Sequence, residues 1–116
     1  MVNVLDKPRL DGANPIDMGA RADEVALLLK TLAHPARLLL ACALVDGEYS
    51  VGELEDKLGI HQPTLSQQLT VLRQAGIVET RREGKQIFYR LTAEKAARLI
   101  EALYGIFCVE GNGQSA

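Results

Sequence analysis

Two short stretches with helical spacing, set about four residues apart and followed at once by two strand-like runs, constrain this chain more than any other feature. Ser50 and Glu53 form an S-x-x-E box, which satisfies two orphan N–H groups at a helix start. Val51, Leu54 and Leu58 give that helix its apolar face, and Gly59 ends it as a residue free to take left-handed angles. A second helix begins near Gln62-Pro63, carries Leu65, Leu69 and Leu72 at i, i+4 and i+7, and closes at Gly76. Only Gly59 to Gln62 separate the two, the spacing of a helix-turn-helix. Ile77–Thr80 and Gln86–Leu91 are strand-like, and Arg81 to Lys85 between them make a charged tip with Glu-Gly at its apex.

The flanks complete a small domain. Val25, Leu28, Leu29 and Leu32 fall on one stripe of a helix expected over Asp17 to Ala33. His34-Pro35 breaks it, because the residue before proline avoids helical angles. Pro35 suits the first turn of the next helix, which runs to about Val45 and carries Cys42. It is apolar nearly all round after Arg37, so it is expected to be buried. After the hairpin, Thr92 is read as the N-cap of a last helix, with Glu94 in its first turn. Ala96, Leu99, Ile100, Leu103, Ile106 and Phe107 form that helix's stripe. Residues 1–16 are expected to be a flexible arm, 17–110 one domain and 111–116 a flexible tail. The fold class expected is mainly α, about five helices with a β-hairpin wing: a winged helix-turn-helix.

Composition excludes several function classes. The longest apolar run, Leu38 to Val45, is far short of the roughly 18 residues a membrane span needs. The first fifteen residues lack the basic-then-apolar order of a secretion signal. A soluble, cytoplasmic protein with no membrane partner is therefore expected. There is no glycine-rich phosphate loop, nucleophile elbow or convincing acid–base pair, so neither an enzyme nor a cofactor is expected.

The net charge of −2 is unevenly spread. His61 to Arg90 holds five basic and two acidic residues, a net of +3 with histidine neutral, on an otherwise acidic body. The second helix of the helix-turn-helix turns Thr64, Ser66, Gln67, Gln68 and Arg73 away from its leucines. Glutamine suits adenine, serine and threonine suit bases or phosphate, and arginine suits guanine or phosphate. His61 and Gln62 stand at the turn before it, His61 to cap the helix or meet phosphate. Arg81, Arg82 and Lys85 are placed to reach the DNA backbone. On an isolated helix such side chains are an ordinary solvated face; the basic hairpin beside them favours double-stranded operator DNA as the partner. Winged helices also dock proteins, and those have no need of a basic tip.

The run HQPTLSQQLTVLRQAGIVETRREGKQIFYRLT resembles the recognition helix and wing of the ArsR/SmtB family of bacterial repressors, and TLAHPARLLLACAL resembles the opening of their second helix. The likeness covers roughly residues 20 to 108. It implies a homodimer built through the first and last helices, and repression that an inducer relieves. Many relatives sense metals through a cysteine-rich box on the third helix or through histidine and carboxylate pairs on the last. Here those stretches read YSVGELEDKLG and TAEKAARLIEALYGIFC, with no cysteine in the first and no histidine in the second. No metal site is expected, although a metal- or other-ligand-responsive repressor with structural cysteines stands as the alternative.

Cys42 and Cys108 are the only cysteines. Read as residues, they are either small buried hydrophobes or, being on elements that pack together in this fold, thiols able to meet. They also resemble the pair in the persulfide-sensing branch of the family, one in the second helix and one in the last. That resemblance implies a redox switch: a persulfide or oxidant links Cys42 to Cys108 and the dimer releases DNA, in control of sulfide detoxification genes. A direct disulfide needs Cα atoms about 5.5 to 6 Å apart, and inserted sulfur relaxes this.

Overall fold

His34 and Pro35 set the first corner of the molecule. In this computed structural model, which describes residues 15–109, α1 spans Pro15–Leu32 and α2 spans Pro35–Val45. The two helices are bent by 100° from each other. His34 is extended and its Nδ1 accepts the Ala36 N–H at 3.1 Å, capping α2 where Pro35 has no N–H to satisfy. The helix begins two residues earlier than the arm boundary read from sequence; residues 1–14 and 110–116 lie outside the described residues.

β1 is the two-residue strand Tyr49–Ser50, followed by α3 (Val51–Leu58) and α4 (Thr64–Gln74). Ser50 and Glu53 make both hydrogen bonds of the capping box, at 3.1 and 2.8 Å. Gly59 closes α3 with φ 69°, and its N–H donates to the Glu55 carbonyl at 2.8 Å. β2 (Val78–Glu83) and β3 (Gln86–Leu91) form the antiparallel wing, with Gly84 at φ 63° in its tip. β1 adds a third antiparallel strand to β3, giving the order β1-β3-β2. Ser50 is more than the cap its sequence box implies. It also pairs with Phe88, and so ties the start of the helix-turn-helix to the wing.

α5 covers Glu94–Tyr104 and runs into a π-helical turn, Gly105–Val109, that carries Cys108. Thr92 is not its N-cap. Ala93 holds that position without a side-chain bond, and Thr92 Oγ donates instead to the Gly76 carbonyl at 3.0 Å. With its N–H on the Ile77 carbonyl, Thr92 fastens the end of the wing to the turn after α4.

The core gathers Leu32, Leu40, Leu44, Leu54, Ile77, Val78 and Ile100 around the α4 leucines, which are fully buried. α2 is less enclosed than its composition suggested: Leu39 is 48% exposed and Cys42 half-buried. Leu27 and Leu29 on α1 and Tyr104, Ile106 and Phe107 at the chain's last turns are also exposed. Among the described residues no side chain covers them.

Ser50→Ala removes a buried cap and is expected to cost about 1 kcal/mol, whereas Ser50→Gly costs only a few tenths. Urea denaturation of the two variants against the parent checks this order.

Candidate nucleic-acid interface and thiol pair

The leucines of α4 decide what its other side presents. Leu65, Leu69 and Leu72 point inward, so Thr64, Ser66, Gln67, Thr70 and Arg73 lie on the solvent side. No side chain of Pro63 caps the helix; Gln62 does so from one residue earlier, its Oε1 accepting the Ser66 N–H at 3.0 Å. His61 does not cap. Its Nδ1 lies 2.9 Å from Glu55 Oε2, which ties the turn back to α3 and leaves the ring well exposed.

Gln68 departs from the outward face expected of it. It is half-buried, and its Oε1 accepts from Arg37 Nη1 at 2.9 Å. The same guanidinium donates through Nε to the Thr31 carbonyl at 2.6 Å. Arg37 thus bolts α4 to the end of α1, a contact no local pattern disclosed because it spans 31 residues.

The wing has two chemically distinct faces. Across β2 and β3, Glu79 pairs with Arg90, Arg81 with Phe88 and Glu83 with Gln86; between them Thr80 pairs with Tyr89 and Arg82 with Ile87. Successive residues point to opposite sides. On the first side Arg81, expected from the sequence to reach phosphate, is engaged by other groups of the protein. It makes three hydrogen bonds of 2.7 to 3.2 Å to the Glu48 carboxylate, another of 2.8 Å to Glu83, and lies 4.8 Å over the Phe88 ring. Hydrogen bonding from Arg81 holds the Glu48 carboxyl below its usual range, and Glu48 and Glu83 hold Arg81 more firmly protonated. Arg90 pairs with Glu79 on the same side.

On the other side, Arg82 shares a cleft of about 270 Å³ with Arg73 from the end of α4, together with Thr80, Ile87 and Tyr89. Arg73, Arg82 and Lys85 form no ion pair among the described residues. The basic segment therefore has its uncommitted charge on the end of α4 and the outer half of the wing.

The thiols lie apart from this surface. Cys42 is half-buried on α2 and opens to a cavity of about 320 Å³ lined also by residues of α5. Burial pushes its pKa above the ordinary thiol value, and repulsion by the Cys108 thiolate adds to the effect. Both are free thiols here. Among the described residues no three His, Cys, Asp or Glu side chains are grouped to hold a metal ion, and no single helix is long and apolar enough to cross a membrane.

Residues 34–80 match the model of the arsR family of bacterial regulatory proteins. The chain is 72% identical over 105 residues to the biofilm growth-associated repressor of Agrobacterium fabrum, covering 90% of both chains. Its fold is similar to the crystal structure of the transcriptional repressor BigR from Xylella fastidiosa, with a TM-score of 0.80 and 69% identity over 83% of this chain and 98% of that one. It is also similar to a homodimeric winged helix-turn-helix DNA-binding domain from Mycobacterium bovis, with a TM-score of 0.67 and 33% identity over 81% and 87% of the two chains.

The two neighbouring glutamines separate by experiment. Gln68→Ala strips a partner from a part-buried guanidinium and is expected to cost about 1 to 3 kcal/mol. Gln67→Ala, on the open surface, stays within about 0.5 kcal/mol of the parent. Chemical denaturation of both variants without DNA reads the difference.

Proposed function

Because the chain belongs to the arsR family of bacterial regulatory proteins, we propose that it is a homodimeric transcriptional repressor that lets go of its operator when Cys42 and Cys108 become linked. The similar proteins named as repressors in Agrobacterium and Xylella support repression. The homodimeric domain from Mycobacterium, with the exposed apolar residues on α1, α2 and the last helix, supports a dimer. The genes controlled are those that dispose of sulfide, as the family resemblance implies.

On DNA, α4 enters the major groove, where each base pair shows a distinct pattern of donors and acceptors. Thr64, Ser66 and Gln67 reach base edges or phosphate. Arg73, Arg82 and Lys85 supply the charge that the backbone attracts. Two arginines sharing one cleft without a carboxylate suit a phosphate better than any partner within the chain. His61, Gln62, Gln68 and Arg81 act through position: they set the turn, the helix and the root of the wing. Two such units related by a two-fold axis fit half-sites roughly 34 to 36 Å apart.

The observation that carries the switch is that Cys42, on α2, opens to a cavity walled by Ile100, Glu101 and Tyr104 of α5, the helix whose π-helical continuation carries Cys108. One thiolate attacks the terminal sulfur of a persulfide R–S–SH and becomes a protein persulfide, while RS⁻ leaves and takes a proton. The second thiolate attacks the inner sulfur, the disulfide forms and hydrosulfide departs. The pair loses two electrons to the donor in all. α2 is then tied to the helix that builds the dimer interface, and the two recognition helices move off register with the DNA.

Three outcomes check this. Arg82→Ala and Lys85→Ala are expected to weaken binding to all DNA alike and to cut the slope of log K against log salt by about 1 each. Gln67→Ala is expected to lower discrimination between operator and random DNA by about 1 to 3 kcal/mol. Equal loss on both DNAs for Gln67→Ala would contradict base reading. For the switch, Cys42→Ser and Cys108→Ser keep their operator affinity but no longer respond to an organic persulfide in a mobility shift, and peptide mass spectrometry of the parent finds the two cysteines joined. A Cys42→Ser protein still released by persulfide would defeat the mechanism.

A further inference from the structure

Gln68 braces α4 with one end of its side-chain amide and leaves the other end over. Arg37 decides which end is which. A guanidinium has donors only and stays charged, so the amide atom 2.9 Å from Arg37 Nη1 is the oxygen. The guanidinium is pinned from behind as well, its Nε donating to the Thr31 carbonyl at 2.6 Å. Thr31 is itself buried near the end of α1, with its hydroxyl on the Leu27 carbonyl at 2.8 Å. Arg37 is in no ion pair among the described residues, so no carboxylate offsets the charge it brings to the amide. Among the described residues Gln68 Nε2 has no hydrogen-bond partner, and it is not shut away from solvent. A free glutamine amide can use both ends at once and so grip adenine. Gln68 is denied this. It offers N–H groups alone, made better donors by the cation drawing on the other end.

Thr64, Gln67, Gln68 and Val71 fall at i, i+3, i+4 and i+7 on α4. That is one line along the helix, the spacing with which a helix in the major groove reaches successive bases. Thr64 and Gln67 are exposed, and Val71 is 37% exposed, an apolar side chain on the polar side of the helix. Gln68 and Val71 stand three residues apart and are therefore neighbours. Together they present a donor beside methyl groups. In the major groove thymine alone offers the counterpart, an O4 acceptor beside a C5-methyl. Guanine has acceptors without the methyl, cytosine turns out a donor, and adenine sets a donor next to its acceptor. We infer that Gln68 and Val71 read one thymine in each operator half-site, and that Arg37 is the positioning residue that makes Gln68 a donor. This rests on the reading of α4 as the recognition helix.

The test selects binding sites from randomised DNA with the reduced full chain and with three variants. The parent is expected to select a thymine at one base pair of each half-site, by about tenfold over the other bases. Gln68→Glu keeps one oxygen for Arg37 and turns the other to the groove. At that same base pair thymine then gives way to cytosine, whose N4 donates. Arg37→Met releases the amide, and adenine joins thymine there. Deoxyuridine in place of that thymine removes the methyl alone: the parent binds it about fourfold more weakly, the worth of one methyl taken out of water, and Val71→Ala binds the two DNAs alike. An Arg37 that serves only the fold lowers affinity for every sequence equally and leaves the selected bases unchanged, and that result overturns the inference. So does guanine or adenine in the parent at the base pair that Gln68→Glu alters, or equal binding of thymine and deoxyuridine by the parent. If Arg37→Met does not fold by circular dichroism, Gln68→Glu and the deoxyuridine comparison decide. A parent that selects no sequence defeats the recognition-helix reading and this inference together; a selected sequence that Gln68→Glu leaves untouched defeats the inference alone.

Discussion

Burial of Leu65, Leu69 and Leu72 is the constraint on which the rest of the molecule turns. All three are fully enclosed, and burying side chains of this size is worth about 1.5 to 3 kcal/mol each. Their spacing fixes the rotation of α4 about its axis, so every polar residue between them is committed to the outside before any partner arrives. The remaining freedoms are tilt and position along the axis. Arg37 removes part of these through Gln68, and Gln62 closes the first turn. Thr92 then couples the end of α4 to the wing through Gly76. The solvent face of α4 is thus held by Arg37 of α2, by Gln62 in the turn before the helix and by Thr92 after the wing.

Much of this was legible because it is local. Capping box, glycine stop and leucine period are each written within a few residues, and each appears where those residues put it; the hairpin is tighter than its charge run suggests, since β2 continues through Arg81 to Glu83 and only Gly84 and Lys85 make the turn. What escaped the sequence is long-range. Nothing near Arg81 announces that Glu48, 33 residues earlier, will claim it. Gln68 was placed on the solvent face by its period, yet it sits at the edge of the leucine stripe, where one arginine from another helix reaches it. Thr92 looked like a cap because threonine before an acidic first turn commonly is one, but the carbonyl at Gly76 offered a nearer use for its hydroxyl. β1 was invisible because a two-residue strand has no period to read.

The charge of the basic segment changes meaning once its partners are known. Counting residues gives an evenly basic hairpin; pairing them divides it lengthwise. One side pairs its cations internally, Arg81 and Arg90 being answered by three carboxylates, Glu48, Glu79 and Glu83. The other keeps Arg82 beside Arg73. Salt therefore acts differently on the two: it screens the exposed cations from an approaching polyanion, while hydrogen-bonded pairs at the root hold their geometry.

The two faces of the wing also limit how its length can change. Side chains alternate along β2 and β3, so an insertion of one residue on each strand between root and tip rotates everything beyond it by half a turn. With the insertion just beyond Thr80 and Tyr89, Arg82 would move to the side of the Glu79–Arg90 pair and Arg81 would take its place against Arg73. An insertion of two on each strand restores the arrangement and only extends the reach. Within this architecture the hairpin is quantised: a longer wing of the same chemistry is available in steps of one full pleat, and the intermediate length belongs to a protein with its charges turned inside out.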